Sequence, residues 1–141
     1  MKRLALLAIF LALPLTGCPS LNTTQQQALA NASDNAAKIV GAAQQVEITA
    51  HNNTLISDAD HQFIETQFNN LGQLGLATDS CIGKASTKTA AIACLQAYTT
   101  GAQNIGAQSV GIKSAQAQAE FNLTITSVEG VLDALQTELG N

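Results

Sequence analysis

The sequence predicts an all-α fold: an antiparallel helical bundle of about four helices, two long and two short. Three observations carry that prediction. Apolar residues recur at alternating steps of three and four along two long stretches, Leu29 to Ala50 and Phe121 to Leu139. Strand-like alternation is scarce: Val46-Glu47-Ile48-Thr49 and Leu123-Thr124-Ile125-Thr126 alternate, but each sits inside a longer helical seam. The segments between periodic stretches are brief and polar, and short connections make consecutive helices antiparallel neighbours.

The first seam is Leu29, Ala32, Ala36, Ile39, Ala43, Val46 and Ala50, which predicts a helix over about 24–52 ending near Asn52-Asn53. Alternate seam positions are alanine and permit close approach to a neighbour, near the lower end of the usual range of about 8–10 Å. Gly41 falls mid-helix at a cost of about 1 kcal/mol against alanine. Ser57 and Asp60 have the spacing of a capping box, and Asp58 and Asp60 suit the positive end of a helix dipole. The second helix carries Ile64, Phe68, Leu71 and Leu74 on one face. It is expected to fade at Gly72, Gly75 and Ala77, with a loop from Thr78 to Ala85.

Ser86 or Thr87 can cap a third helix with the seam Ala91, Leu95, Tyr98, Ala102 and Ile105. Cys94 lies one step beside that seam, where it can point back towards the preceding loop. Gly101 and Gly106 are expected to weaken the end of this helix, and a loose stretch follows near Ala107 to Lys113. The last helix repeats Phe121, Ile125, Val128, Leu132, Leu135 and Leu139, with Ala115 and Ala119 as a small-residue extension and Gly130 as its weak interior point.

The N-terminus has a different character. Lys2 and Arg3 precede an unbroken apolar run from Leu4 to Leu13, the charge and length of a secretory leader. As a helix this run spans about 15 Å, half of a roughly 30 Å hydrocarbon core, so it makes a poor permanent membrane helix. Leu15-Thr16-Gly17-Cys18 closes it. The tetrad resembles the lipobox of bacterial lipoproteins, in which a branched residue, a small residue and Gly or Ala precede the cysteine. The resemblance implies that residues 1–17 form a signal peptide cut just before Cys18, and that Cys18 is lipidated. It implies a lipidated cysteine and tether over 18–24, followed by a helical domain over 25–141. Each buried methylene contributes about 0.8 kcal/mol, so two or three acyl chains on one residue hold the chain firmly at a membrane. Pro19 stands where aspartate typically marks inner-membrane retention in enteric bacteria, so the family default is the outer membrane facing the periplasm. The alternative is an ordinary secretory leader cut elsewhere, with Cys18 an incidental thiol.

Under the lipoprotein resemblance Cys18 goes to lipid, leaving Cys81 and Cys94 as an even pair in an oxidising compartment. A disulfide between them is the favoured reading, and two buried free thiols or a redox pair are the alternatives. The spacing does not match a Cys-x-x-Cys redox motif, and no second pair completes a zinc site.

Beyond the leader the chain carries Lys38, Lys84, Lys88 and Lys113 against ten carboxylates, with no arginine. That balance argues against nucleic acid, because neutralising phosphates needs clustered cations. Trp is absent and Tyr98 is the only tyrosine, which disfavours stacking platforms for sugars or bases. His51, Asp58, Asp60 and His61 gather around the first interhelical turn, and imidazole with carboxylate suits a divalent ion. A turn is where polar residues belong, however, so no metal ligand is assigned. The segment lacks the glycine and terminal glutamate of a calcium-binding loop. Gly72-Gln73-Leu74-Gly75 has no following lysine for a phosphate loop, and nothing places a serine in a strained turn beside a base. No cofactor is implied, and the expectation is a protein that is not an enzyme.

The functional expectation is a lipid-anchored envelope protein acting as a helical interaction or spacer module with an envelope protein as partner. A carrier of a small apolar ligand is a second possibility, favoured by a cavity lined by Phe63, Phe68, Tyr98 or Phe121. A phage- or prophage-encoded surface lipoprotein, for superinfection exclusion or lysis, is a third. The major murein lipoprotein of enteric bacteria also joins a lipobox to alanine-rich heptads. That family is a single long helix ending in a lysine that attaches to peptidoglycan, whereas this sequence ends Leu139-Gly140-Asn141, so covalent attachment to the wall is not implied.

Overall fold

A computed structural model describes residues 21–85 and 87–140, without the side chain of Gln26. The fold is all-α. Four helices, α1 (Thr23–Asn52), α2 (Asp58–Lys84), α3 (Lys88–Ala107) and α4 (Ala115–Gly140), run alternately up and down, with a 3-10 turn over Gln108–Gly111 before the last. Among the described residues there is no strand. The lipobox residues Leu15, Thr16, Gly17 and Cys18 lie outside the described residues.

Helix α1 starts one residue earlier than expected because Asn22 makes a reciprocal cap. Its Oδ1 accepts from the Gln25 N–H at 2.9 Å, and the Gln25 Oε1 accepts from the Asn22 N–H at 3.1 Å. Leu21 is only 5% exposed and belongs to the core. Residues 21–24 are therefore not the free tether that the sequence suggested; apolar burial and capping draw them into the bundle. At the other end, the Thr54 N–H bonds the His51 carbonyl and the Leu55 N–H bonds the Ala50 carbonyl, each at 2.9 Å. This Schellman motif holds Thr54 at a φ of 57°.

Ser57 caps α2 through its Oγ, which accepts from the Asp60 N–H at 3.1 Å. The expected fading at Gly72 and Gly75 does not occur. The buried row Leu71, Gly75, Thr78 and Ile82 keeps the helical step, so packing carries α2 through Cys81 to Lys84. Helix α2 is consequently long, and the anticipated loop over Thr78–Ala85 shrinks to the junction after Lys84. Thr87, rather than Ser86, caps α3, accepting from the Ala90 N–H at 3.2 Å. All five residues of the α3 seam are buried. Gly101 and Gly106 do not end this helix, because their missing side chains let neighbours approach. A Cβ at Gly106 would stand 3.0 Å from Ile125 Cγ2.

Helix α4 buries all six of its expected seam residues. The small-residue extension is Ala117, one turn before Phe121, while Ala115 and Ala119 are exposed. A step of four from Phe121 reaches position 117, which places the other two alanines off the buried stripe.

Each helix packs on its sequence neighbours, and α1 closes the ring against α4. Tilted Phe68 and Phe121 rings, 5.5 Å apart between centroids, sit between α2 and α4. The bundle thus has two distinct ends. The base gathers the start of α1, the end of α2, the start of α3 and the end of α4; Ser33 donating to Asp79 at 3.3 Å and the Cys81–Cys94 disulfide lie there. The distal end holds the α1–α2 turn and the 3-10 turn.

Candidate functional site

The distal half of the bundle is not filled. Helix α1 carries Ala42, Ala43 and Ala50 where it passes α4, and α4 presents Ala117 and Thr124. Side chains this small do not span the gap between two helices. A cleft of about 340 Å³ opens between α1, α2 and α4, with Ile39, Ile64, Phe68 and Phe121 forming its apolar wall. Val46, a seam residue by sequence, is 51% exposed at its edge, and Leu55 and Leu123, also lining it, are 65% and 67% exposed. Of the aromatics that would mark a ligand cavity, Phe68 and Phe121 line the cleft; Phe63 and Tyr98 do not. The volume falls within the range of small-molecule sites, about 300–1,000 Å³.

Two glutamates line the same space, Glu47 from α1 and Glu120 from α4. Glu47 is nearly buried and its Oε1 pairs with His61 Nδ1 on α2. Glu120 accepts from the Gln116 Nε2 at 3.1 Å, one turn away on its own helix. No lysine or arginine is among the described residues that line the cleft. Sequence reasoning missed Glu47, which lies one position past the seam residue Val46. The available signal was its spacing four residues before His51, on the same helix face.

Of the four polar residues expected to gather at the first turn, three do. His51 Nε2 meets Asp58 Oδ1 at 2.9 Å, and the rings of His51 and His61 stack 4.0 Å apart at 9°. Asp60 turns away and accepts from the Lys113 and Ser114 N–H groups at 2.8 and 3.2 Å. In stacked rings the nitrogen lone pairs run parallel instead of converging, and one nitrogen of each ring is taken by a carboxylate. Among the described residues no group of three or more His, Cys, Asp or Glu side chains is placed to hold a metal ion.

Cys81 and Cys94 are joined with a Cα separation of 5.8 Å. Cys81 sits in the last turn of α2 rather than in a loop, and the bond ties α2 to α3 at the base, away from the cleft. A second, water-sized recess nearby is lined by Ser33, Asp79 and Tyr98. Burial raises the Asp79 carboxyl above its usual range, partly offset by the Ser33 hydroxyl. Burial, reinforced by the Asp79 charge, pushes the Tyr98 hydroxyl up to about 12.

No helix among the described residues is long and apolar enough to cross a membrane. Comparison of this chain with protein-family models, with curated proteins and with solved structures finds no match.

Proposed function

We propose that this chain is a lipid-anchored protein of the bacterial cell envelope whose bundle is a non-enzymatic binding module. Lipid on Cys18 holds it to a membrane, and the cleft takes an apolar guest. The anchor rests on the lipobox-like tetrad Leu15-Thr16-Gly17-Cys18. The binding role rests on one observation: an apolar cleft walled by Phe68 and Phe121 in a bundle that is otherwise closely packed. Leu21, three positions after Cys18, is already buried in the base of the bundle, so the base lies next to the anchor and the cleft lies at the far end. A helix of about 26 residues spans roughly 39 Å, which sets the scale of that stand-off.

Two experiments test the two halves separately. Intact-mass spectrometry of the exported protein finds a chain beginning at an acylated Cys18 if lipid is the anchor; an unmodified Cys18 removes the anchor from the account. For the cleft, neutral Nile red shifts its emission to the blue on binding residues 18–141 carrying Cys18→Ser, made without the leader. Ala43→Phe, which fills the space from α1, abolishes that shift. Unchanged emission in both proteins rejects the binding role.

A second reading, docking of an envelope protein, is favoured by the exposed apolar rim of Val46, Leu55 and Leu123. Photocrosslinking from position 46 in intact cells separates the two, since a protein partner gives a discrete adduct and a small guest does not.

A further inference from the structure

Resting on the reading of the cleft as a binding site, we propose that its guest is a single-chain amphiphile with a cationic head group. The shape of the cleft points to the chain. Its α1 wall runs from Ile39 to Ala50, which is about 17 Å of helix. A linear alkyl chain fits a trough of that length better than a rounded ring system does. The inner wall of Ile64, Phe68, Ala117 and Phe121 offers no strong hydrogen-bonding side chain and suits methylenes.

The charges point to the head group. The carboxylates lining the cleft, Glu47 and Glu120, stand on different helices. Glu47 has a partner in His61, whereas Glu120 is met by the neutral amide of Gln116, which offers no opposing charge. Ser114, Gln116 and Ser127 supply further polar groups along the α4 side. A cleft lined by one sign of charge and walled by apolar surface concentrates ligands of the opposite sign. An anionic head group would enter this site against Glu120 with no lining lysine or arginine to receive it.

The test is a series with one tail and three heads. Dodecyltrimethylammonium, dodecyl maltoside and dodecyl sulfate, each below its micellar concentration, are titrated calorimetrically into residues 18–141 carrying Cys18→Ser. This chain lacks the apolar run from Leu4 to Leu13 and the cations Lys2 and Arg3, which would bind the probes themselves, and circular dichroism monitors helix content throughout. The expected order is cation tightest and sulfate weakest, with about a tenfold span or more at low salt. Glu120→Gln lowers the affinity for the cation at least threefold and leaves the maltoside unchanged. Asp133→Asn, an exposed carboxylate outside the cleft, alters neither.

Sulfate binding as tightly as the cation overturns the head-group assignment. So does an Asp133→Asn effect equal to that of Glu120→Gln, since the preference would then belong to net charge. Maltoside binding abolished by Ala43→Phe, with no preference among heads, refutes this inference and spares the binding site. Failure of all three to bind saturably refutes both.

Discussion

The Asp60 carboxylate accepts a hydrogen bond from the backbone N–H of Lys113 at 2.8 Å, joining the first turn of α2 to the entry of α4. Asp60 is 4% exposed, and its second oxygen takes the Ser114 N–H. One side chain therefore satisfies two successive backbone donors of the turn. Hydrogen bonds to a charged group contribute about 1.5–3 kcal/mol. Asp60→Ala is expected to destabilise the protein by about 2–3 kcal/mol in urea unfolding, and Asp60→Asn, which has one acceptor oxygen, by less.

The Cys81–Cys94 bond closes a short loop at the base. Constraining a loop of that size stabilises by about 3 kcal/mol in the chain-entropy model. Reduction, or paired replacement by serine, should lower the unfolding free energy by about that amount. Nile red binding at the distal cleft should survive, because the bond joins α2 to α3 while the cleft lies between α1, α2 and α4. Alkylation mapping under non-reducing conditions should find both thiols blocked.

Thr54 occupies the left-handed backbone region at a φ of 57°, where glycine is the usual residue. A β-branched side chain there costs about 1–2 kcal/mol. Glycine gives up some unfolded-state advantage, so Thr54→Gly should raise stability by about 1 kcal/mol, read as an upward shift in Tm.

Tyr98 makes the fold sensitive to alkali. Its folded value lies near 12, above the ordinary value of 10.0, so the unfolded chain loses this proton first. Fewer protons bound in the unfolded state means that stability falls as pH rises, here between about 10 and 12. Two units correspond to a loss of order 3 kcal/mol. Tyr98→Phe should flatten that part of the stability profile. Near neutrality it should cost little, since the hydroxyl reaches only the Leu71 carbonyl, at 3.5 Å.

Periodicity made the seams of α3 and α4 legible residue by residue, because each apolar position found an apolar partner. It misjudged the end of α2, where Gly75 read as a point of fading and Thr78 as the start of a loop, but both pack as small members of a buried row. The cleft was hidden for a related reason. A heptad records which face turns inward, not whether the opposing faces are wide enough to meet. Val46 has the phase of a core residue, yet it lines the cleft with the small Ala42, Ala43, Ala50 and Ala117, and half of it stays exposed. The Asp60 clamp was equally invisible, since its partners are backbone N–H groups more than fifty residues away.

The position of the crosslink has a mechanical consequence. Among the described residues it is the one covalent tie between helices, and α1 is not part of it. That helix runs 30 residues, and near its tip, beside the trough, non-covalent pairs hold it to α2: Glu47 with His61 and His51 with Asp58. Swinging it by about 10° about its start would move the tip by roughly 8 Å, given a rise of about 1.5 Å per residue, and would pull those pairs apart. These two latches, more than resting volume, set how bulky an occupant the trough can take.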